Sequence, residues 1–192
     1  MTATLRTRSR TGRLTTDARP AGADVLRVAF AASPVGLVLV ARGAAGVAAV
    51  LLGDDRDTLR RELQRRFPLG TLAAADAALD ALAARIAALA DDPARDLGVP
   101  LDMRGTPFQR EVWRALRAIP AGTTITYGEL AARLGRPRSA RAVGAACGAN
   151  PLAILVPCHR AVARDGALTG YRWGVERKQA LLEREARARR GL

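Results

Sequence analysis

The sequence contains very few of the residues that build metal and redox centres. Its 192 residues include two cysteines and one histidine. A zinc site built from cysteine and histidine needs four ligands, which these three residues do not supply, and no carboxylate cluster with metal-ligand spacing stands near them. We therefore expect no metal, no other cofactor and two free thiols, as in proteins of the reducing cytoplasm.

The sequence also lacks an uninterrupted hydrophobic run. Residues 31–52 are apolar overall, but Pro34, Arg42 and several glycines interrupt them, so we expect no membrane span. Residues 1–23 contain five arginines and no apolar core, which excludes a secretory signal and predicts a disordered basic tail. A transit peptide has a similar composition and is the alternative for this segment.

Lysine is nearly absent, and arginine carries the positive charge. Lys178 is the single lysine among 31 basic residues, and 18 acidic residues leave a formal net charge of +13. The excess favours a nucleic-acid partner, since arginine binds phosphates and base edges. A genome with skewed codon usage would produce the same excess, so charge alone does not establish the partner.

The order of the apolar runs predicts strands followed by helices. Runs at 25–31, 37–41 and 47–52 alternate with turn residues, as in a strand meander. Two amphipathic helices follow, with apolar residues at helical spacing: Leu59, Leu63 and Phe67, then Leu79, Leu82, Ile86 and Leu89. We predict an α+β fold, with a small sheet-plus-helix domain at 24–100 and a mostly helical domain at 101–192.

The predicted second domain contains a candidate helix-turn-helix. Thr106 and Thr126 each begin a capping box, and short helices are predicted at 128–134 and 139–148 on either side of a turn with Gly135. One stripe of the second short helix is cationic but small: Arg138, Arg141, Ala145 and Gly148. Such a stripe lets the backbone approach DNA closely, and tight helix packing is the alternative.

The only histidine, His159, directly follows Cys158. Chance adjacency has a probability of roughly 2 in 100, and an imidazole can accept a thiol proton. We predict a nucleophilic Cys158 with more thiolate near neutral pH than a free cysteine has. A structural cysteine beside an incidental histidine is the alternative, and Cys147 is predicted to be a small buried residue.

The C-terminal helix places Glu185 on the face that carries Lys178, Leu181 and Leu182. A carboxylate turned toward the core needs a partner. Arg160 would form an ion pair, whereas His159 would complete a Glu–His–Cys relay. The sequence allows both.

Taken in order, these motifs resemble the O6-alkylguanine-DNA alkyltransferase family, and from about Leu26 onward the C-terminal half of adaptive-response (Ada) proteins. The motifs are GTPFQREVW at 105–113, IPAGTTITYGEL at 119–130, RAVG at 141–144, Asn150, PCHR at 157–160, Gly170-Tyr171, and Lys178 to Leu182 with Glu185. The four-cysteine domain of full-length Ada proteins has no counterpart here, so we expect no transcriptional self-induction.

The resemblance implies a ribonuclease H-like N-terminal domain and a monomer that repairs O6-alkylguanine in double-stranded DNA. Cys158 would accept the alkyl group, chiefly methyl, in a single suicidal turnover, and His159 and Glu185 would generate its thiolate through a water. Tyr127 would donate to guanine N3. Arg141 would enter the minor groove and fill the space left by the flipped base.

The resemblance implies further roles around this centre. Asn150 would tie the helix-turn-helix to the loop of Cys158, and the stripe with Tyr127 would contact DNA. The substrate pocket would contain Pro157, Tyr171, Arg172, Trp173 and Lys178. Activity on O4-alkylthymine stays open.

Two other functions compete with this hypothesis. A non-enzymatic helix-turn-helix module that binds damaged DNA is the first, but such alkyltransferase-like proteins lack the acceptor cysteine that Cys158 would supply. A cysteine hydrolase is the second, but it presents its histidine from elsewhere in the fold and needs an oxyanion hole. Here the sole histidine is the adjacent residue.

Overall fold

The computed structural model describes residues 25–168 and 170–191. The predicted basic tail at 1–23 lies outside them. Three strands, β1 (Val25–Ser33), β2 (Gly36–Gly43) and β3 (Gly46–Gly53), form an antiparallel meander. They confirm the three predicted strands, each extended by one or two residues at one or both ends.

A fourth strand, β4 (Thr71–Ala74), was not predicted and pairs parallel to β1, which gives the sheet order β3-β2-β1-β4. Its sequence, TLAA, has no apolar alternation and only one large apolar residue, so the pairing with β1 rather than local propensity explains the strand. The helices α1 (Arg56–Arg66) and α2 (Ala77–Ala88) pack against the sheet. α1 ends one residue before Phe67, which was predicted to belong to it.

Four helices follow in the second half: α3 (Pro107–Arg117), α4 (Tyr127–Arg133), α5 (Ala140–Ala149) and α6 (Val175–Arg189). Both predicted capping boxes are present, with reciprocal bonds between Thr106 and Gln109 and between Thr126 and Glu129. Threonine oxygens satisfy backbone N–H groups that have no partner within the helix.

Two short strands and a single turn of 3-10 helix hold the loop of the adjacent cysteine and histidine. β5 (Ile125–Thr126) pairs parallel with β6 (Ala161–Val162), and the 3-10 helix covers Cys158–Arg160. The segment that carries Cys158 is therefore fixed against the start of α4.

The second half of the chain also hydrogen-bonds to the sheet. The N–H of Val47 donates to Pro100 O over 2.9 Å, and the N–H of Val50 donates to Pro151 O over 2.8 Å. The α+β class, with a small sheet followed by helices, is confirmed, while the boundary at residue 100 stays a prediction. No helix in residues 25–168 and 170–191 has the length and apolar character needed to cross a membrane.

Candidate active site

Cys158 is 4% exposed and lines a cavity of about 440 Å³. The cavity lies between α5, the start of α4 and the segment that precedes α6. Its lining residues are Tyr127, Gly144, Cys147, Gly148, Cys158, Gly170, Tyr171 and Arg172. Cys158 is therefore buried but borders a space large enough for a small molecule or a side group.

The side-chain amide of Asn150 fixes the loop before Cys158. Its Nδ2 donates to Val156 O over 2.8 Å and to Cys158 Sγ over 3.2 Å, and its Oδ1 accepts from the N–H of Leu152 over 2.9 Å. Asn150 is completely buried and directly follows α5. It therefore connects this helix to the thiol, which is the contact that its predicted role requires.

The same loop contains one strained residue. Ile154 has a φ of +68°, and it is the only non-glycine residue with positive φ among the residues that the structure describes. This conformation costs a β-branched residue about 1–3 kcal/mol. Backbone bonds on either side, Leu155 N–H to Ala153 O and Val156 N–H to Leu152 O, hold it in place.

Glu185 accepts hydrogen bonds from both candidate partners at once. Its Oε1 lies 2.7 Å from His159 Nε2, and its two oxygens accept from Arg160 Nε and Nη2 over 2.8–3.1 Å. The N–H of Gly122 adds a further bond of 2.9 Å to Oε2. The His159 contact and the Arg160 ion pair, which the sequence left open as alternatives, are therefore both present in one buried cluster, and the extension of the relay to Cys158 stays a prediction.

Hydrogen bonds decide the charge of Glu185. Burial alone would raise the pKa of this carboxyl, but the donors on His159 and Arg160 outweigh it and lower the pKa to about 2. Burial lowers the pKa of His159 and outweighs the opposing effect of the Glu185 carboxylate, and the positive charges of Arg160 and Lys178 lower it further. At neutral pH the pair is an anionic Glu185 and a neutral imidazole.

The predicted thiolate excess of Cys158 is wrong for the resting protein. Burial raises the pKa of the thiol to about 11, against the opposing effects of the Asn150 amide and the charges of Lys178 and Arg66. Desolvation penalises the thiolate more than these groups stabilise it. Cys158 rests as a neutral thiol, and His159 Nδ1, which is buried without a hydrogen-bond partner in the described part of the chain, is the base nearest in sequence.

Tyr127 is the first residue of α4, and Lys178 lies against it. The Lys178 ammonium is 5.9 Å from the centre of the Tyr127 ring and donates to Ala161 O over 2.6 Å. Burial raises the pKa of Tyr127 to about 12, so its hydroxyl stays protonated at neutral pH. Tyr127 therefore lines the cavity as a neutral phenol.

The cationic stripe of α5 faces solvent. Arg141, Ala145 and Gly148 are exposed, as is Arg138 in the preceding turn, while Val143, Ala146 and Cys147 are buried. Trp113 Nε1 anchors the buried side by donating to Ala146 O over 2.8 Å. The DNA-contact role of the stripe stays a prediction.

Of the predicted pocket residues, Tyr171 and Arg172 line the cavity and three others do not. Trp173 is 4% exposed and packs edge-on against Tyr171, with ring centres 5.1 Å apart. Lys178 is completely buried beside Tyr127. Pro157 lines a separate cavity of about 510 Å³ that also reaches His159 and Glu185, because the chain turns at the 3-10 helix.

Sequence reasoning missed several residues of this centre. Gly122 was noted only as part of the motif at 119–130, although its φ of +71° accompanies an N–H that donates to Glu185. Ile154 gave no sign at all, because its residue type disfavours the conformation it adopts. Arg66 and Glu62 of α1 lie too far along the chain to be linked to the cavity without the fold.

The fold and the site define a protein with a buried thiol in a cavity beside two short helices, α4 and α5, that are joined by a turn. The family model described as "6-O-methylguanine DNA methyltransferase, DNA binding domain" matches residues 107–187. The chain is 49% identical over 161 residues to the bifunctional transcriptional activator/DNA repair enzyme Ada of Escherichia coli strain K12. The aligned residues cover 84% of this chain and 46% of that protein. The chain spans about half the length of the curated relatives it matches.

Two solved structures extend the comparison beyond the helical half. The O6-methylguanine methyltransferase of Mycobacterium tuberculosis is 36% identical with a TM-score of 0.66, over 84% of this chain and 93% of that one. The structure of Mycobacterium tuberculosis OGT in complex with DNA has a TM-score of 0.68 at 35% identity, over 83% and 92% of the two chains. The chain belongs to the O6-methylguanine-DNA methyltransferase family.

Proposed function

We propose that the protein repairs double-stranded DNA by transferring an alkyl group, chiefly methyl, from O6 of guanine to Cys158. The observation that carries this proposal is the buried thiol in a cavity beside α5, backed by the His159–Glu185 pair at 2.7 Å. Each protein molecule acts once, because a thioether has no good leaving group. No cofactor takes part, since the reacting groups belong to the protein and the DNA.

The chemistry assigns each proton. The thiol proton of Cys158 passes to His159, through a water, as Sγ forms its bond to the alkyl carbon and the carbon–O6 bond breaks. The electron pair stays with guanine, and Tyr127 donates its hydroxyl proton to N3 as negative charge develops. The proton held by His159 then returns to Tyr127 through solvent, so the net reaction exchanges the alkyl group for the thiol proton.

The resting protonation states support this sequence. A neutral thiol at rest is protected from adventitious electrophiles, and Glu185 stabilises the imidazolium that forms only during transfer. Tyr127 enters the reaction as a neutral donor, since its pKa is about 12. Lys178 beside the ring stabilises negative charge on its oxygen while the proton is away.

The DNA is engaged through α5. Arg141 and the small residues of its exposed stripe approach the minor groove, and Arg141 fills the space that the flipped nucleotide leaves. Extrusion selects for damage, because an alkylated guanine pairs poorly and costs less to flip. The protein acts as a monomer in the cytoplasm, where its thiol stays reduced. The described lining residues of the cavity and the His159–Glu185 pair belong to one chain, which supports a monomer.

Intact-mass analysis after incubation with a duplex containing O6-methylguanine tests the proposal. We expect a gain of one methyl group in place of a hydrogen, mapped to Cys158, and a plateau at one lesion repaired per protein. The Cys147→Ser variant should still gain this mass at Cys158, whereas Cys158→Ser should bind DNA without gaining it. Lesion binding by the intact protein without any mass gain would favour a damage-binding module instead.

A further inference from the structure

An ion pair joins helix α1, which packs on the N-terminal sheet, to the cavity of about 440 Å³ that Cys158 lines, called the alkyl cavity below. Arg172 lines the cavity, and its Nε donates to Glu62 Oε1 over 2.8 Å. Glu62 lies on α1, 110 residues earlier in the chain, and its side chain is 18% exposed. Neither residue is near Cys158 in the sequence. The ion pair nevertheless connects α1 to the cavity that Cys158 lines.

Arg172 also holds the opposite side of the cavity. Its Nη1 donates to Gly148 O over 3.3 Å, and Gly148 is itself a lining residue. A single guanidinium therefore bridges the segment before α6 and the last turn of α5. The separation between these two walls depends on where that guanidinium is held.

A second arginine repeats the arrangement one residue further along α5. Arg66 of α1 donates from Nη1 to Ala149 O over 3.1 Å, and its Nε lies 3.6 Å from the same Glu62 oxygen. Carbonyls at the end of a helix lack intrahelical partners and favour nearby cations. Glu62 lies between the two arginines and offsets their mutual repulsion.

The segment 170–173, which contains Arg172, is also linked to the N-terminal half of the chain at its other end. Arg177 donates to Trp173 O over 2.7 Å and to Val35 O over 2.9 Å. Residues 170–173 are thus tied to the sheet region on both sides. Arg172 is the member of this segment that reaches across to Gly148 of α5, and Glu62 is the carboxylate that ties it to α1.

We infer that Glu62 is a positioning residue that fixes the width of the alkyl cavity and thereby sets which alkyl groups Cys158 accepts. The inference rests on the proposed function. A methyl group needs little room beside the thiol, whereas a benzyl group needs the wall of Arg172 to withdraw. Removing the carboxylate frees Arg172 from α1, and the bulky substrate gains more than the small one.

The test compares rates of methyl and benzyl transfer to Cys158 from duplex DNA, followed by intact mass. We expect Glu62→Ala to raise the benzyl-to-methyl rate ratio at least about fivefold, within the range that pocket shape commonly controls. Glu62→Gln, which keeps the size and one acceptor, should give a smaller rise. Arg172→Ala should raise the ratio similarly, and the double variant should add nothing, because both changes break one contact.

Asp91→Asn is the matched control. It breaks the ion pair between Asp91 and Arg184, which also ties α6 to the N-terminal region but does not reach the cavity. The control should leave the ratio unchanged. Equal ratios in the intact protein and both Glu62 variants, additive effects in the double variant, or an equal shift in the control would each overturn the inference. Failure of the proposed function would give a different result from failure of this inference, because the unaltered protein would then gain no methyl group at all.

Discussion

Replacing Glu185 with glutamine tests whether the buried carboxylate drives proton removal from Cys158. The substitution keeps the size of the side chain but replaces one acceptor oxygen with an NH2 donor. Four donor groups now converge on the carboxylate, from His159, Arg160 and Gly122. Glutamine serves fewer of them and carries no charge, so the imidazolium that forms during transfer loses its counterion.

The structure gives the cost to stability in two ways. The pKa of Glu185 falls from 4.5 to about 2, which corresponds to about 3 kcal/mol of stabilisation of the charged form. Removing one partner of a buried ion pair costs about 3–5 kcal/mol, which agrees. Since the free energy of unfolding of a native protein is about 5–15 kcal/mol, the variant should still fold near room temperature.

The cost to the reaction is separate. Loss of the counterion should slow methyl transfer at least about tenfold, equivalent to about 1.4 kcal/mol in the barrier. Single-turnover rates should be measured well below the unfolding temperature of each variant. Glu183→Gln, two residues earlier on the exposed side of α6, is the control and should leave the rate unchanged.

A second readout distinguishes the relay from a purely structural role. The rate at which a small electrophile alkylates Cys158 should be recorded across pH for the protein and for Glu185→Gln. If the relay exists, the variant should need a higher pH to reach the same rate, because its imidazole is a weaker base. A folded variant with unchanged transfer and an unchanged pH profile would refute the relay and leave Glu185 as an ion-pair partner of Arg160.

Three further predictions concern DNA, acid and the pocket. Arg141→Ala should slow repair in duplex DNA at least about tenfold but spare transfer from a free alkylated base, and equal losses on both would contradict its role in flipping. The free energy of unfolding in urea should fall as pH drops below about 6.5. Below that pH the unfolded chain binds a proton at His159 more readily than the folded protein, in which the pKa of His159 is lowered. It should fall further from about pH 4.5 toward about 2, as Glu185 is protonated, and Glu185→Gln should lack this second loss. Methyl should be transferred faster than benzyl, and Trp173→Gly should narrow the gap by loosening Tyr171, whereas unchanged relative rates would show that the indole does not support the pocket.

The elements with local causes could be predicted from the sequence. Threonine caps, proline at the first helical position and glycine in turns act within a few residues. The start of α3 and both ends of α4 and α5 therefore lie within about one residue of their predicted positions. The strand β4 could not be predicted in this way, because its stability comes from β1, some 45 residues away.

The site shows the same division. The adjacency of Cys158 and His159 and the helical spacing of Glu185 are visible in the sequence, and the 2.7 Å contact agrees with them. The protonation state of the thiol is not visible, since it depends on how completely the folded chain excludes water. Lys178 and Trp173 contact the lining residues Tyr127 and Tyr171 but do not line the cavity themselves. Sequence spacing does not distinguish a lining residue from the residue packed behind it.

During synthesis, β1 to β3 leave the ribosome before the segments that later cover the outer edge of β3. Val47 and Val50 hydrogen-bond to residues 100–102 and 151–153, so the second set arrives about 50 residues, or about 3–10 s, after the first. In that interval an apolar strand presents unpaired backbone groups to neighbouring nascent chains, which is the usual start of edge-to-edge aggregation. A fragment that stops before residue 100 should therefore accumulate as insoluble material, and the yield of the full chain should depend on translation speed through α3 to α5.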